Sequence, residues 1–269
     1  MNYKNLISSG KSVREFKDKG IDAKYFNEIE SYINNSKKLL PEINIEVKIF
    51  DNKDSYEKLN KVAGYNGYMI EAPHYVVILS DVKKGYIENS GYIGERLILK
   101  ARDLEIDSCW VTFKDSNTIK EKLNISSDKE VTAIIALGYE DNKNSKTKRS
   151  VDRLSVEKIV YMGEWGENAS ATELEERYLL DAFSYARMAP STLNRQPWRF
   201  IIDGSNIILA VKKDDFTSVY EKGIDAGIAM LYFGLIIDTT ILDSKWNLDD
   251  INKDYKIPED YEVIGSCSI

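Results

Sequence analysis

The sequence predicts an α+β fold made of two similar halves, each with a β-sheet flanked by helices. Two observations support this prediction. Helical and strand-like apolar patterns alternate through residues 10–140 and again through residues 173–238. Each stretch also contains a long apolar helix, and Asp-Ala-Gly-Ile-Ala at residues 225–229 is patterned like Ser-Gly-Tyr-Ile-Gly at residues 90–94.

The first half is predicted to begin with an amphipathic helix, because apolar side chains between residues 21 and 33 follow helical spacing. Its predicted strands lie at residues 43–50 and 71–81, and a long helix runs into a further strand within residues 90–111. A last strand is expected at residues 131–137. Its near-continuous apolar character is typical of a strand that is covered on both faces.

The second half is predicted to contain helices at residues 173–188 and 225–238, with strands at residues 199–202 and 206–211 between them. Pro190 ends the first of these helices, because a proline within a helix removes a hydrogen bond and clashes with the preceding turn. The later helix contains an apolar run of ten residues, which is shorter than the roughly 20 needed to span a membrane. We therefore expect a buried interface helix there.

The length and composition suit a globular chain. With 269 residues, of which 43% are hydrophobic, it can bury a full core. We place the first half at residues 1–150 and the second at residues 151–269, and expect the two to pack as one compact unit. The net charge of −7 provides no basic surface for nucleic acid and no attraction to an anionic membrane, so a small-molecule partner is favoured. The first residues lack the apolar core of a signal peptide, so we expect a cytoplasmic location.

Several chemistries lack the residues they need. The single histidine, His74, lies beside an apolar strand and is expected to pack in the core, so we predict neither a metal site nor a serine or cysteine triad. Cys109 lies in an apolar run and is expected to be buried, whereas Cys267 is expected to be exposed near the terminus. The chain has no GxGxxG pattern after a strand and no Walker loop.

The most informative segment is APSTLNRQPWRF at residues 189–200, here called the signature loop. Ser191, Thr192 and Asn194 favour turns, and Gln196 adds another amide. A loop of this composition is expected to present backbone N–H groups to a flat ligand with polar edges. An ordinary helix-to-strand connection, with Trp198 filling the core, is also compatible with these residues.

The pattern APSxxNxQPWxF resembles the signature of the nitroreductase family, which consists of flavin enzymes whose FMN is held at a dimer interface. The resemblance implies that Pro190, Ser191, Thr192 and Asn194 contact the isoalloxazine ring, with Gln196 as a further candidate. Thr192 stands where the family has a second serine and keeps the hydroxyl group.

A second matching segment is GKSVREF at residues 10–16, which resembles the family's N-terminal Arg-Ser-x-Arg. The resemblance implies that Ser12 and Arg14 bind the phosphate-ribityl or pyrimidine side of FMN, with help from Lys11. Gly10 stands where the family usually has an arginine. Lys11, Arg149 or Arg153 could replace that contact. Arg153 matches the family's late phosphate-binding arginine, but it is also compatible with a solvated charge.

The two motifs are divided between the halves. The first half keeps the basic segment and lacks the signature loop. The second half keeps the loop and has Asp152 where an arginine would be needed. The simplest account is two degenerate nitroreductase-like halves that form an internal pseudo-dimer. This account implies one composite FMN site per chain and a monomer that acts as a pseudo-dimer.

In members of this family a backbone N–H group points at flavin N5, and other residues contact the pyrimidine edge of the flavin. By resemblance, Thr112 and Phe113 take the first role, and Gly64 and Asn66 take the second.

The activity implied is ping-pong oxidation of NAD(P)H, a transient electron donor, with transfer to a nitroaromatic, a quinone or a similar planar acceptor. The flavin carries this chemistry, so no side chain is assigned as catalytic. Two alternatives remain, a non-catalytic flavin-binding or storage protein and a degenerate homologue that binds no flavin.

Overall fold

The computed structural model describes residues 1–141 and 152–269. The chain forms two compact units, Met1 with Ser9–Arg149 and Asn2–Ser8 with Ser150–Ile269. Helix α1 (Tyr3–Ser8) belongs to the second unit, where it packs against two other helices, whereas the sequence division placed it in the first half.

The first unit contains one four-stranded antiparallel sheet with the order β1-β2-β4-β3. Its strands are β1 (Ile45–Asp51), β2 (His74–Ser80), β3 (Asp107–Val111) and β4 (Glu130–Gly138). Its helices are α2 (Ala23–Asn34), α3 (Asn52–Leu59), α4 (Tyr86–Asp103) and α5 (Ser116–Leu123).

The core of the first unit lies between α4 and the sheet. Every residue of β2 is buried, as is every residue of β4 after Glu130, which agrees with their apolar runs. Gly94 lets α4 approach the sheet closely, because a Cβ atom there would lie 2.4 Å from the Trp110 ring. The indole N–H of Trp110 donates to the Glu95 carboxylate at 2.9 Å, so this buried acid has a partner.

The second unit contains a five-stranded sheet with the order β5-β6-β7-β9-β8. Its strands are β5 (Val160–Met162), β6 (Trp198–Asp203), β7 (Asn206–Lys212), β8 (Lys245–Asn247) and β9 (Tyr261–Ser268). The β5–β6 pair is parallel and the other pairs are antiparallel. Its further helices are α6 (Ala171–Glu176), α7 (Leu180–Ala186) and α8 (Val219–Ile237).

Helix α8 is the centre of the second unit. All its residues from Gly223 onward are buried. Phe233 of this helix packs against Phe183 and Phe200, with ring centroids 5.0 and 6.3 Å away. The helix begins earlier than predicted, because Ser218 and Glu221 form a capping box that extends it past its apolar run.

Two sequence-based expectations for the second unit are wrong. The helix expected at residues 173–188 is divided into α6 and α7, because Tyr178 adopts a left-handed conformation with φ of 60°. Cys267 is fully buried, because β9 lies between β7 and β8 in the sheet.

The expected core role of His74 is confirmed. Its Nε2 atom accepts a hydrogen bond from the Ile21 N–H group at 2.8 Å, and its Nδ1 atom lies 2.8 Å from an Asp51 carboxylate oxygen. The α+β prediction is also confirmed, since each unit combines one sheet with helices. Among residues 1–141 and 152–269, no helix is both long enough and apolar enough to cross a membrane.

Candidate functional site

The basic segment of the first unit runs alongside β3. The Val13 N–H group donates to the Ser108 carbonyl at 2.9 Å, and Val13 is buried while Ser12 and Arg14 on either side of it are exposed. This alternation places the hydroxyl and the guanidinium on the exposed side of the segment.

Lys11 and Arg14, the two cations of this segment, are not equally available to a ligand. Lys11 forms an ion pair with Glu140. Burial raises the pKa of the Cys109 thiol, and the nearby Arg14 guanidinium and Ser12 hydroxyl act in the opposite direction. Within the described ranges, Arg14 makes no hydrogen bond or ion pair. Among the residues that the structure describes, the segment therefore exposes the Arg14 guanidinium without an ion-pair partner, beside the Ser12 hydroxyl, which interacts with the Cys109 thiol.

Three of the other candidates in the first unit lie close together after the end of β3. The Gly64 N–H group donates to the Thr112 carbonyl at 2.7 Å, and Ala63 pairs with Phe113 in an isolated β-bridge. Asn66 follows in the same turn with a left-handed φ of 52°. The structure thus brings Gly64 together with Thr112 and Phe113, which are distant in sequence.

The signature loop has an unusual backbone. It forms a 3₁₀ turn at Thr192–Asn194, and Leu193, Asn194 and Gln196 all have positive φ values of 55°, 55° and 51°. A left-handed conformation costs a non-glycine residue about 1 kcal/mol or more, so it persists only where the surroundings fix it.

Several backbone N–H groups of this loop donate hydrogen bonds to acceptors within the second unit. The Thr192 N–H group faces both carboxylate oxygens of Asp225 at 3.1 Å. The Asn194 N–H group donates to the Ser191 carbonyl at 2.9 Å, and that of Gln196 donates to the Ser191 hydroxyl oxygen at 2.9 Å. The expectation that these groups are presented to a ligand is therefore wrong for Thr192, Asn194 and Gln196.

The amide side chains of the loop bind residues 152–154. Arg153 donates from Nη1 to Asn194 Oδ1 at 2.6 Å and from Nη2 to the Met188 carbonyl at 3.0 Å. Gln196 accepts from the Leu154 N–H group at 2.8 Å and donates to the Asp152 carbonyl at 3.1 Å. Arg153 is thus a partly buried clamp on the loop, and burial lowers the pKa of its guanidinium.

Replacing Arg153 with methionine is expected to lower the free energy of unfolding by about 2–3 kcal/mol, because Asn194 and the Met188 carbonyl lose a charged donor. Methionine keeps much of the aliphatic stem, so the change mainly removes the hydrogen bonds. Urea denaturation measures the effect. Arg177→Met is the control, because exposed Arg177 makes one longer bond of 3.3 Å, to the Gly204 carbonyl. Equal losses in both variants would contradict the clamp.

The candidate residues therefore fall into two groups, one in each unit. The first unit holds Lys11, Ser12, Arg14, Gly64, Asn66, Thr112 and Phe113. The second holds Arg153, Pro190, Ser191, Thr192, Asn194 and Gln196. Arg149 lies outside the described residues.

Sequence reasoning missed Asp225, which lies on α8 beneath the signature loop and is only 2% exposed. Burial raises the pKa of this carboxyl group to about 8, although Thr192 and Arg195 act in the opposite direction. A signal was present in the sequence, because Asp225 is the sole charged residue between residues 223 and 237.

Comparison with known families gives one match over most of the chain. A family model described as “Putative TM nitroreductase” matches residues 2–237. No curated protein matches the chain.

Solved structures give the same result for the fold. A “putative nitroreductase” from Thermotoga maritima is 18% identical with a TM-score of 0.62, covering 100% of this chain and 94% of that one. A “putative nitroreductase” from Bacillus subtilis, ydfN, is 18% identical with a TM-score of 0.50, covering 60% of this chain and 98% of that one. An FMN-dependent nitroreductase from Clostridium difficile is 21% identical with a TM-score of 0.45, covering 54% of this chain and 91% of that one. The Thermotoga and Bacillus structures confirm the predicted nitroreductase-like fold.

Proposed function

The chain belongs to the TM1586-type nitroreductase family, and from this premise we propose that it is an FMN-dependent NAD(P)H oxidoreductase. Its second substrates are planar acceptors such as nitroaromatics and quinones. The observation that carries the proposal is the signature loop, in which three non-glycine residues hold left-handed conformations through a partly buried hydrogen-bond network. Strain of this kind concentrates at ligand-binding and active sites, whereas a plain helix-to-strand connection does not need it.

The donors of the basic segment fit the phosphate of FMN. A phosphate monoester takes charge-assisted hydrogen bonds, which arginine and a neighbouring hydroxyl supply well. Arg14 and Ser12 offer these groups on an exposed side, and no residue in 1–141 or 152–269 accepts a hydrogen bond from the guanidinium. Lys11 is paired with Glu140, so we assign it a smaller share of phosphate binding.

The chain's own residues bind and orient, because the redox step needs no protein acid or base. When bound, FMN supplies hydride acceptance from NAD(P)H and electron transfer to the second substrate. The hydrogen bond from the Gly64 N–H group to the Thr112 carbonyl would hold two segments together. One is the turn at Gly64, assigned to the pyrimidine edge of the flavin, and the other is the segment at Thr112, assigned to flavin N5. The assignment of the basic segment and the signature loop to one flavin stays a prediction.

The first experiment is an absorbance spectrum of protein purified with FMN, taken before and after heat release, with flavin counted per chain. We expect one FMN per chain, followed by oxidation of NADH or NADPH when a quinone or nitroaromatic is added. Bound FMN without turnover would favour a flavin-storage protein. No bound FMN would favour a degenerate homologue.

A further inference from the structure

The carboxyl group of Asp225 is the internal acceptor on which the signature loop rests. Both of its oxygens lie 3.1 Å from the Thr192 nitrogen, and the Thr192 hydroxyl lies 3.5 Å from Oδ1. Thr192 begins the turn in which Leu193 and Asn194 are left-handed. Removal of this acceptor would leave the first residue of the turn without its anchor.

The surroundings of Asp225 favour its neutral form. The charged groups that face it are Arg195 from the loop and Glu221 from its own helix, and Glu221 adds negative charge. Arg195 Nη2 lies 3.9 Å from the Asp225 carboxylate, but Nη1 of the same guanidinium is in closer contact with Asp214, and Nη2 donates to the Thr217 hydroxyl at 3.2 Å. The Arg195 guanidinium is therefore paired mainly with Asp214. A carboxylate that is 2% exposed and shares the nearby Arg195 guanidinium with Asp214 is costly to bury.

We propose that Asp225 is a positioning residue that holds the signature loop while it is protonated and loosens the loop when it ionises. Opening the loop would admit water to the carboxylate, so the ionised form favours the open loop. The pKa of about 8 agrees with this assignment. Because the pKa is raised in the closed state, the closed loop is most stable at low pH, and this advantage is lost as the pH rises through about 8. Any effect of this ionisation on FMN binding rests on the proposed function.

Hydrogen exchange of the loop amides tests the proposal in the flavin-free protein. After correction for intrinsic exchange, we expect loop protection to fall about tenfold or more between about pH 6 and pH 9. Asp225→Asn keeps an acceptor and cannot ionise, so its loop should stay protected at both pH values. Asp225→Ala should lose protection at both. Asp249→Asn, which removes an exposed carboxylate of the same unit, should behave as the unchanged chain.

The same variants are then titrated with FMN at both pH values. We expect the dissociation constant of the unchanged chain to rise about tenfold at the higher pH and that of Asp225→Asn to stay constant. Equal pH dependence of loop protection in the unchanged chain and in Asp225→Asn would overturn the proposal, as would full protection in Asp225→Ala. If no FMN binds at either pH, the proposed function fails, and loop exchange still decides the role of Asp225.

Discussion

Binding of FMN to the Arg14→Glu variant is expected to be about a hundredfold weaker than to the unchanged chain, while the variant stays folded. The guanidinium is exposed and makes no hydrogen bond or ion pair within the described residues, so its loss removes no internal bond. The new carboxylate would face the phosphate dianion. The variant thus loses a charge-assisted bond and gains repulsion, together about 2–3 kcal/mol. Quenching of flavin fluorescence on titration measures the affinity, and a circular dichroism melt measures the fold.

The matched control is Lys17→Glu. It changes the net charge by the same amount and alters an exposed side chain three residues farther along. A general effect of charge would weaken FMN binding equally in both variants. If Arg14→Glu bound FMN as tightly as Lys17→Glu, the assignment of the basic segment to the phosphate would be wrong.

The elements that the sequence predicts best are those whose burial comes from one continuous apolar run. Strands β2 and β4 and helix α8 are of this kind, and each is found close to its expected place. Strand β9 was missed, because most of its residues are only partly buried or exposed and Gly265 interrupts it. The structure explains this glycine, since a Cβ atom there would lie 2.4 Å from the Asn247 carbonyl oxygen on β8. A glycine that looks like a strand breaker in sequence is here required by close strand pairing.

The candidate site was predictable in its residues and much less so in their roles. The composition of the signature loop indicates turns, which the structure contains. Its partners, however, lie far away in sequence. Arg153 is 41 positions from Asn194, and Asp225 is 33 from Thr192. Sequence spacing gives no information about pairings at such distances, so amides that appeared available to a ligand are found bound to their own chain.

Replacing Gly64 with alanine is expected to lower the free energy of unfolding by about 3 kcal/mol or more. Two costs add at this position. The backbone has φ of 91°, which an L-residue adopts only with strain, and the new Cβ atom would lie 2.1 Å from the Tyr68 carbonyl oxygen. The obstacle is backbone, so it cannot rotate aside as a side chain would. Relief requires the turn to open, which would also break the bond from Gly64 to the Thr112 carbonyl.

Gly67→Ala in the same turn separates the two costs. Gly67 has a similar φ of 80°, but nothing lies within 4 Å of its Cβ position, so the variant should lose only about 1 kcal/mol through backbone strain. Urea denaturation of both variants gives the comparison. The excess loss in Gly64→Ala measures how tightly the turn is closed on Tyr68. Equal losses would mean that the turn yields easily, and a yielding turn could not fix Gly64 against Thr112 as the proposed flavin site requires.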